Sequence, residues 1–520
     1  MTYDVVVVGS GGGALIGAFL AQKAGLRTVV LERTAYVGGT SAYSGGACWL
    51  PGSQVQQRAG IPDSTESARS YLAAILQNPD SAKVEAFLAE APRLVAALEA
   101  DPAFEFEWLP FPEYFDAPGR VSMGRSIQPT NIKRDELPDE VGALVRPPVE
   151  RDRVGLGGRN TLSGGQSLIA RALNAFIREG GTVLTGHRLT GYVLDGDRVA
   201  GVVAEVEEPR SGVTKPPEVE EPRSGVTKPG EVEIRAARGV LVAAGGFEGN
   251  EALRKQYAVP GSAEATMAPR GTNAGEPIEA AVELGASTAH MSEGWFCPGL
   301  EQPDGGGSFT LGFRGGVMVD QTGSRYANEC LPYDRFGREM AKANNRIPSY
   351  FVFDSREGGR LPAIAMPEGD PEAHLAAGTW AKADSLADLA DRVGLPELEA
   401  TVARFNGFAE EGADADFNRG ADEYDSFFAP KPLVPIDAAP FYAARFVLSD
   451  LGTKGGLVTD SAGRVLRADG SVIEGLYATG NSSASMFGPV YPGPGAPLGS
   501  AMVFASLAVR NLLEIEERTK

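Results

Sequence analysis

Histidine and cysteine are scarce in this 520-residue chain, which carries three of each. The cysteines (Cys48, Cys297 and Cys330) have no metal-ligand spacing and make no disulfide framework, which fits a reducing cytoplasm. The histidines (His187, His290 and His374) lie far apart in sequence. No histidine metal site or histidine triad is expected, no metal is expected, and each histidine reads as a surface or packing residue. No apolar run approaches the length needed to span a bilayer, so no transmembrane segment is expected. The N-terminus enters a strand at once, without the basic and hydrophobic regions of a signal peptide. The expected location is the cytoplasm, with peripheral membrane contact left open. Positive charge is short as well: 48 Lys and Arg stand against 68 Asp and Glu, for a formal charge of -20. A nucleic-acid partner is therefore not expected, and the acidity reads as a solubility feature.

What is abundant is glycine, with 66 residues, in a chain that is 43% hydrophobic. That composition and length describe an α/β enzyme of two or three domains. Residues 3 to 8 form a continuous apolar run suited to a buried parallel strand. Gly9-Ser10-Gly11-Gly12-Gly13-Ala14 follows, then a helical stretch that Gly25 can cap, then a second strand, Arg27 to Leu31, ending at Glu32. This is the order of a Rossmann-type dinucleotide site. Gly9 permits the tight turn, Gly11 lets the backbone approach a pyrophosphate, and Ala14 lets helix and strand pack closely. The helix N-terminus offers N–H groups and a positive dipole end to phosphates. Glu32, 23 positions after Gly9, can accept hydrogen bonds from a ribose.

The segment after Glu32, Arg33-Thr34-Ala35-Tyr36-Val37-Gly38-Gly39-Thr40-Ser41, resembles the stretch that runs along FAD in the fumarate-reductase-like flavoprotein superfamily. Two further pieces share that resemblance: Arg238 to Phe247, a strand ending at Ala244 and Gly245, and Leu476 to Asn481, whose Gly480 and Asn481 approach the flavin. The resemblance implies FAD, with Gly9, Ser10, Gly11, Gly12, Gly13, Glu32, Arg33, Gly39, Thr40, Ser41, Gly46, Ala244, Gly245, Gly480, Asn481, Pro497 and Leu498 as its contacts. Some members hold FAD covalently through a histidine near the first glycine-rich segment. The first histidine here is His187, so non-covalent FAD is expected. No second glycine-rich unit for a pyridine nucleotide follows, which points to an external electron acceptor, a quinone or a carrier protein.

Helical patterns occupy 65 to 100 (notably Ala82 to Leu98) and 166 to 179. Strand-like pieces follow at Val183 to Leu184, Leu189 to Leu194 and Arg198 to Val206. The expected architecture is a Rossmann-type FAD-binding domain, 1–292 and 453–520, with an inserted α+β substrate domain, 293–452. Helices are expected in that insert at Leu386 to Val393 and Glu397 to Glu411. The sequence EVEEPRSGVTKP occurs at 205–216 and again at 218–229. Its charge, proline and glycine read as a duplicated exposed hairpin extension, about 205–233, rather than a solenoid or a partner-binding loop.

Four segments go further: Phe111 to Gly119, Ala327 to Asp334, Ser449 to Gly456, and Val490-Tyr491-Pro492-Gly493-Pro494-Gly495-Ala496-Pro497-Leu498-Gly499. Together with the FAD segments they resemble the 3-ketosteroid Δ1-dehydrogenases, from near residue 3 to about residue 510. The resemblance implies 1,2-desaturation of ring A of a 3-keto-4-ene steroid, with a C2 proton going to a base and a C1 hydride to flavin N5. Tyr491 and the Gly495 N–H would donate to the C3 oxygen as an oxyanion-type site. Tyr333 would remove the C2 proton. A free phenol has a pKa of about 10, so it needs help at neutral pH, and Tyr114 would supply it. Taken singly, each tyrosine would read as a packing residue. Asp334 and Arg335 read as structural ion-pairing groups, and Lys454 as part of a hinge returning to the FAD domain.

The alternatives are a Δ4-dehydrogenase of 3-keto-5α-steroids, a fumarate-reductase-like reductase of an unsaturated acid, and a non-enzymatic flavin carrier. The acid reductase needs an arginine and histidine cluster where this chain has tyrosine and Tyr-Pro-Gly-Pro-Gly. The order of the tyrosine motifs favours Δ1 over Δ4 without fixing regiochemistry. A carrier would not have its flavin bleached by a steroid alone.

Overall fold

The computed structural model describes residues 2–206 and 230–519. The tandem repeat lies almost wholly outside the described residues. The two strands it joins, Arg198–Val206 and Glu231–Val242, pair antiparallel. Chain contacts divide the protein into two units, one of Met1–Phe247, Gly271–Glu293 and Thr453–Lys520, the other of Glu248–Arg270 and Gly294–Gly452.

The first unit is built on an eight-stranded sheet. Thr2–Val8 lies at its centre, parallel to Glu231–Val242 on one side and to Thr28–Glu32 on the other. Thr182–Thr185 extends the sheet beyond Thr28–Glu32, and Val472–Ala478 extends it beyond Glu231–Val242, both in parallel. Val5, Val6 and Val7 are fully buried, as a parallel strand covered on both faces requires. The dinucleotide helix is Gly12–Lys23, and Gly25 follows at φ +87°, the left-handed stop expected there.

The helix Ala496–Thr519 packs on Gly12–Lys23 and on Ser81–Glu99. Over Ala496–Glu514 it is long and apolar enough to cross a membrane, a candidate that the sequence reading had excluded, and 61% of that stretch is buried inside the protein. Two-sided packing accounts for its apolar composition. The packing also buries one ammonium. Lys83 of Ser81–Glu99 donates to Thr459 Oγ1 at 2.9 Å, and burial pushes it down to about 8. A lysine depressed in the folded state carries a stability penalty that is complete below that value and fades as pH rises toward the unfolded value of about 10.4. Lys83→Met is therefore expected to be more stable than the parent at pH 7, by up to roughly 3 kcal/mol, with the gap closing between pH 8 and 10.4. Thermal melts across that range check this, and a lower melting point at pH 7 would mean that the ammonium's contacts outweigh its desolvation.

The second unit carries a seven-stranded sheet in the order Val317–Val319, Ser349–Phe353, Phe441–Thr453, Gly294–Glu301, Gly307–Leu311 and Ile364–Met366, with Trp380–Ala383 also on Phe441–Thr453. Its helices include Tyr333–Ala341, Leu386–Val393 and Leu398–Glu411, the last two close to the sequence reading. Leu389, Leu398, Val402 and Phe405 bury against Val317, Val319 and Val352. Glu248–Arg270, assigned from sequence to the FAD domain, packs within this unit instead. Arg254 pairs with Asp450 at 2.7 Å with both side chains about 1% exposed, and Thr266 Oγ1 donates to Asp450 at 2.7 Å. A buried pair of that kind ties the segment to the strand that carries Asp450.

Candidate active site

The expected cofactor pieces meet at the carboxyl ends of the parallel strands, where open α/β sheets hold ligands. Gly9 follows Thr2–Val8 at φ +97°, and a Cβ there would sit 2.4 Å from the Ala243 oxygen. Only glycine combines that backbone conformation with that approach. Ser10 donates to Glu32 Oε2 and accepts from Gly38 N at 3.0 Å. Glu32 is 6% exposed, and its other oxygen accepts from the Thr34 amide and hydroxyl at 2.8 Å each. Arg146, unnoticed in the sequence, reaches Thr34 Oγ1 at 2.6 Å and Asp152 at 2.6 Å. Burial works against its charge, but Glu32 and Asp152 together hold the guanidinium above its ordinary value.

Gly39, Thr40 and Ser41 lie in one 3-10 turn, Gly39–Tyr43, and Ser41 Oγ accepts from the Gly12 amide at 3.1 Å. Gly46 packs on the backbone of Gly164. Arg33 pairs with Glu276 at 3.1 Å. Ser482, also missed in the sequence, joins two cofactor segments by accepting from Ala244 N at 2.9 Å and donating to Gly245 O at 2.7 Å. Gly480 and Asn481 stand in the same turn as Ser482. Pro497 and Leu498 open the last helix, and Leu498 Cδ2 lies 3.0 Å from where a Gly12 Cβ would be.

These residues fit an FAD. Two helix N-termini, neither with an acidic residue in its first turn, converge through Gly12 and Leu498. They would take the pyrophosphate and the flavin end, and the buried Glu32 would take the ribose. A Cβ on Gly11 would meet only Ser41 Oγ within 4 Å, which leaves that side of the backbone open to a ligand.

The same unit holds the Tyr491–Gly495 loop, and nearly every carbonyl in it is fixed. Pro492 O accepts from the Tyr71 hydroxyl at 2.7 Å and from Tyr114 N at 3.2 Å. Pro494 O accepts from Ser126 Oγ at 2.6 Å, and Gly495 O from Trp49 N at 3.1 Å. Gly495 has φ +83°, and a Cβ there would lie 2.2 Å from the Ala47 oxygen. The Tyr491 ring is 3% exposed and meets the Tyr114 ring edge-on, with centroids 5.2 Å apart. The structure thus brings together Tyr114, Tyr491 and Gly495.

Beneath the loop sits a buried ion cluster that no sequence pattern announced. Arg125, 0% exposed, donates to Glu113 Oε1 at 2.6 Å and to Asp63 Oδ1 at 2.8 Å. Trp49 Nε1 donates to Glu113 Oε1 at 2.9 Å, and Val121 N donates to its other oxygen at 2.8 Å. Burial raises Asp63 above its usual range even against Arg125. Burial, followed by the Glu113 charge, raises Tyr71 as well, so it stays a phenol and keeps donating to Pro492.

Lys454 lies where the chain returns to the first unit, which resumes at Thr453, as its reading as part of the hinge implies. It is 0% exposed, and its Nζ donates to Pro489 O at 2.8 Å and to Val490 O at 3.4 Å. Tyr333 belongs to the second unit, where it opens the helix Tyr333–Ala341, is 6% exposed, and packs edge-on to Phe309 at 4.7 Å. Asp334 accepts from Arg338 at 3.0 Å, one turn along that helix.

The FAD binding domain family matches residues 4–498. The 3-oxosteroid 1-dehydrogenase of Rhodococcus opacus is 39% identical over 546 residues, 98% of each chain. The 4-oxocyclohexanecarboxylate 2-dehydrogenase of Sinomonas cyclohexanicum is 34% identical over 570 residues, covering 98% of this chain and 93% of that relative. Among solved structures, the 3-ketosteroid delta1-dehydrogenase from Sterolibacterium denitrificans, in complex with 1,4-androstadiene-3,17-dione, superposes with a TM-score of 0.87 at 28% identity. That match covers 99% of this chain and 100% of the other. The matching extends over nearly the whole chain, both units included, and the chain belongs to the FAD-dependent 3-oxosteroid 1-dehydrogenase family of the fumarate-reductase-like flavoproteins.

Proposed function

We propose that this chain desaturates ring A of 3-keto-4-ene steroids between C1 and C2. The observation that carries the reading is the Tyr491–Gly495 loop, a buried phenol and a glycine backbone held rigid by Tyr71, Ser126 and Trp49. A ketone oxygen placed there receives donors that need no reorganisation as negative charge builds on it. No backbone acceptor for the Gly495 amide is present among the described residues, which leaves that donor for a ligand.

The C2 proton becomes acidic as the C3 oxygen is polarised. Tyr333 takes it, and Tyr114 assists, in this reading on the strength of their motifs. Non-covalent FAD, when bound, supplies the acceptor for the hydride that leaves C1, so that the C1–C2 double bond forms and FAD is reduced. The electrons then pass to a quinone or a carrier protein. The enzyme works in the cytoplasm, with access to a membrane surface where the acceptor is a quinone.

Gly495→Ala tests the loop. Its φ and the Ala47 oxygen both oppose a side chain, so the amide must turn away. The expected result is FAD-loaded protein whose turnover falls about 10²-fold or more, the scale of a lost oxyanion donor. A parental rate would remove the amide from the reaction.

Substrate class is tested by comparing three ketones: androst-4-ene-3,17-dione, 5α-androstane-3,17-dione and 4-oxocyclohexanecarboxylate. The expected order of kcat/KM puts the first ahead, with the 1,4-diene as product. Preference for the second would make the enzyme a Δ4-dehydrogenase. Preference for the third would make it a desaturase of small oxo acids.

A further inference from the structure

We propose that Lys454 is a positioning residue for the reaction, a buried ammonium that fastens the backbone entering Tyr491 and eases the build-up of negative charge at that phenol. The inference rests on the proposed function. It deepens that reading by giving the oxyanion site an ammonium of its own.

Three observations converge. The Lys454 side chain is wholly buried, and desolvating an ammonium is costly unless it is held by good acceptors. Its Nζ donates to Pro489 O and Val490 O, the two carbonyls immediately before Tyr491. The same Nζ lies 5.9 Å from the centroid of the Tyr491 ring. Lys454 therefore fixes where the phenol sits and places a positive charge within reach of its ring. As a steroid enolate develops, the Tyr491 proton moves toward it and the phenol oxygen becomes more negative. A cation at this range favours that state over the ground state, which lowers the barrier rather than merely tightening binding.

The surrounding charges leave this role to Lys454. The segment before it contributes His290 and Glu293, whose backbone carbonyl accepts from Lys454 N at 2.8 Å. His290 is held low by burial and then, against Glu293, by the charges of Lys83 and Lys454. Lys83 comes from the helix Ser81–Glu99 and is engaged by Thr459. On the other side of the loop, Glu113 is paired with Arg125, and burial keeps Tyr71 a phenol. Position and charge can be separated because glutamine keeps an N–H donor for the two carbonyls and loses the charge, whereas arginine keeps the charge.

The test uses the FAD-loaded full chain with androst-4-ene-3,17-dione. Lys454→Gln is expected to hold FAD and to keep KM near the parental value. Its kcat should fall roughly 10–100-fold, and the alkaline limb of its rate profile should move up by about one pH unit, as expected for a nearby charge removed. Lys454→Arg should recover most of the rate and return the limb toward its parental position. A second readout needs no turnover: binding of estradiol, whose ring A is a phenol, should tighten as pH rises through its ionisation in the parent and tighten clearly less in Lys454→Gln, where only the Tyr491 and Gly495 donors remain. The parental rate in the same assay reports separately on the desaturase reading. Equal losses in the Gln and Arg variants with an unmoved limb would reduce Lys454 to a strut of the fold. A parental kcat in Lys454→Gln, or identical estradiol profiles, would overturn the proposal.

Discussion

Tyr491→Phe is expected to yield folded, yellow, FAD-loaded protein whose kcat is down about 10²–10³-fold, with KM much less affected. The ring should stay in place, because ring packing and the fixed backbone around it hold it. Tyr114 meets it edge-on, and the adjacent carbonyls are fixed by Tyr71, Ser126 and Lys454. What the variant loses is a donor aimed at a developing oxyanion. A loss confined to the transition state appears in kcat, whereas a loss of uniform binding appears in KM. Tyr333→Phe should be similarly inactive, because it removes the phenol oxygen proposed to accept the proton. Parental rates in both variants would sink the assignment. A rise in KM alone for Tyr491→Phe would make the hydroxyl a binding group and leave the catalysis unexplained.

Arg125→Met is expected to cost about 3–5 kcal/mol of stability, the scale for removing one partner from a buried ion cluster. The substitution leaves Glu113 and Asp63 without their shared cation in a site from which water is excluded. Both side chains are 0% exposed, so neither can turn to solvent in place. The damage should spread to the loop, since Glu113 also holds the Trp49 indole and Trp49 N holds Gly495 O. Weakened FAD retention and a lower melting temperature are expected together. The combination Arg125→Met with Glu113→Gln should be less destabilised than the sum of the single changes, by about 0.5–3 kcal/mol, because it removes a charge that the single variant strands. Melting curves of the four proteins complete that cycle. Strict additivity would mean that Glu113 is stabilised by something other than Arg125.

Much of this was legible in the sequence wherever a feature is local. The strand Thr2–Val8 ends in four consecutive valines, all buried, and the glycines after it mark a turn that few other residues can make. The helices Leu386–Val393 and Leu398–Glu411 follow their apolar spacing. The Tyr-Pro-Gly-Pro-Gly segment stands out through its resemblance to the 3-ketosteroid Δ1-dehydrogenases, and its prolines and glycines suit a stiff loop. The rest depends on pairing between distant positions, which carries no periodic signal. Arg254 and Asp450 lie 196 residues apart, and that pair decides which unit holds Glu248–Arg270. Asp63 and Arg125 are 62 apart. Glu113 lies within Phe111 to Gly119, yet a lone glutamate beside Tyr114 gives no hint that Arg125 and Trp49 reach it. Lys454 stands at the return to the first unit, as its sequence reading has it, but only its burial and its bonds to Pro489 O and Val490 O show what its side chain holds.

The central claim is that a steroid ketone bound to this chain gives its C1 and C2 hydrogens to the protein and its flavin. An anaerobic titration of the FAD-loaded protein with androst-4-ene-3,17-dione tests it most directly, by following the flavin absorbance and identifying the steroid afterwards. The account predicts bleaching of the oxidised flavin with one equivalent of 1,4-androstadiene-3,17-dione formed for each flavin reduced. A flavin that stays yellow while the steroid is recovered unchanged would contradict it.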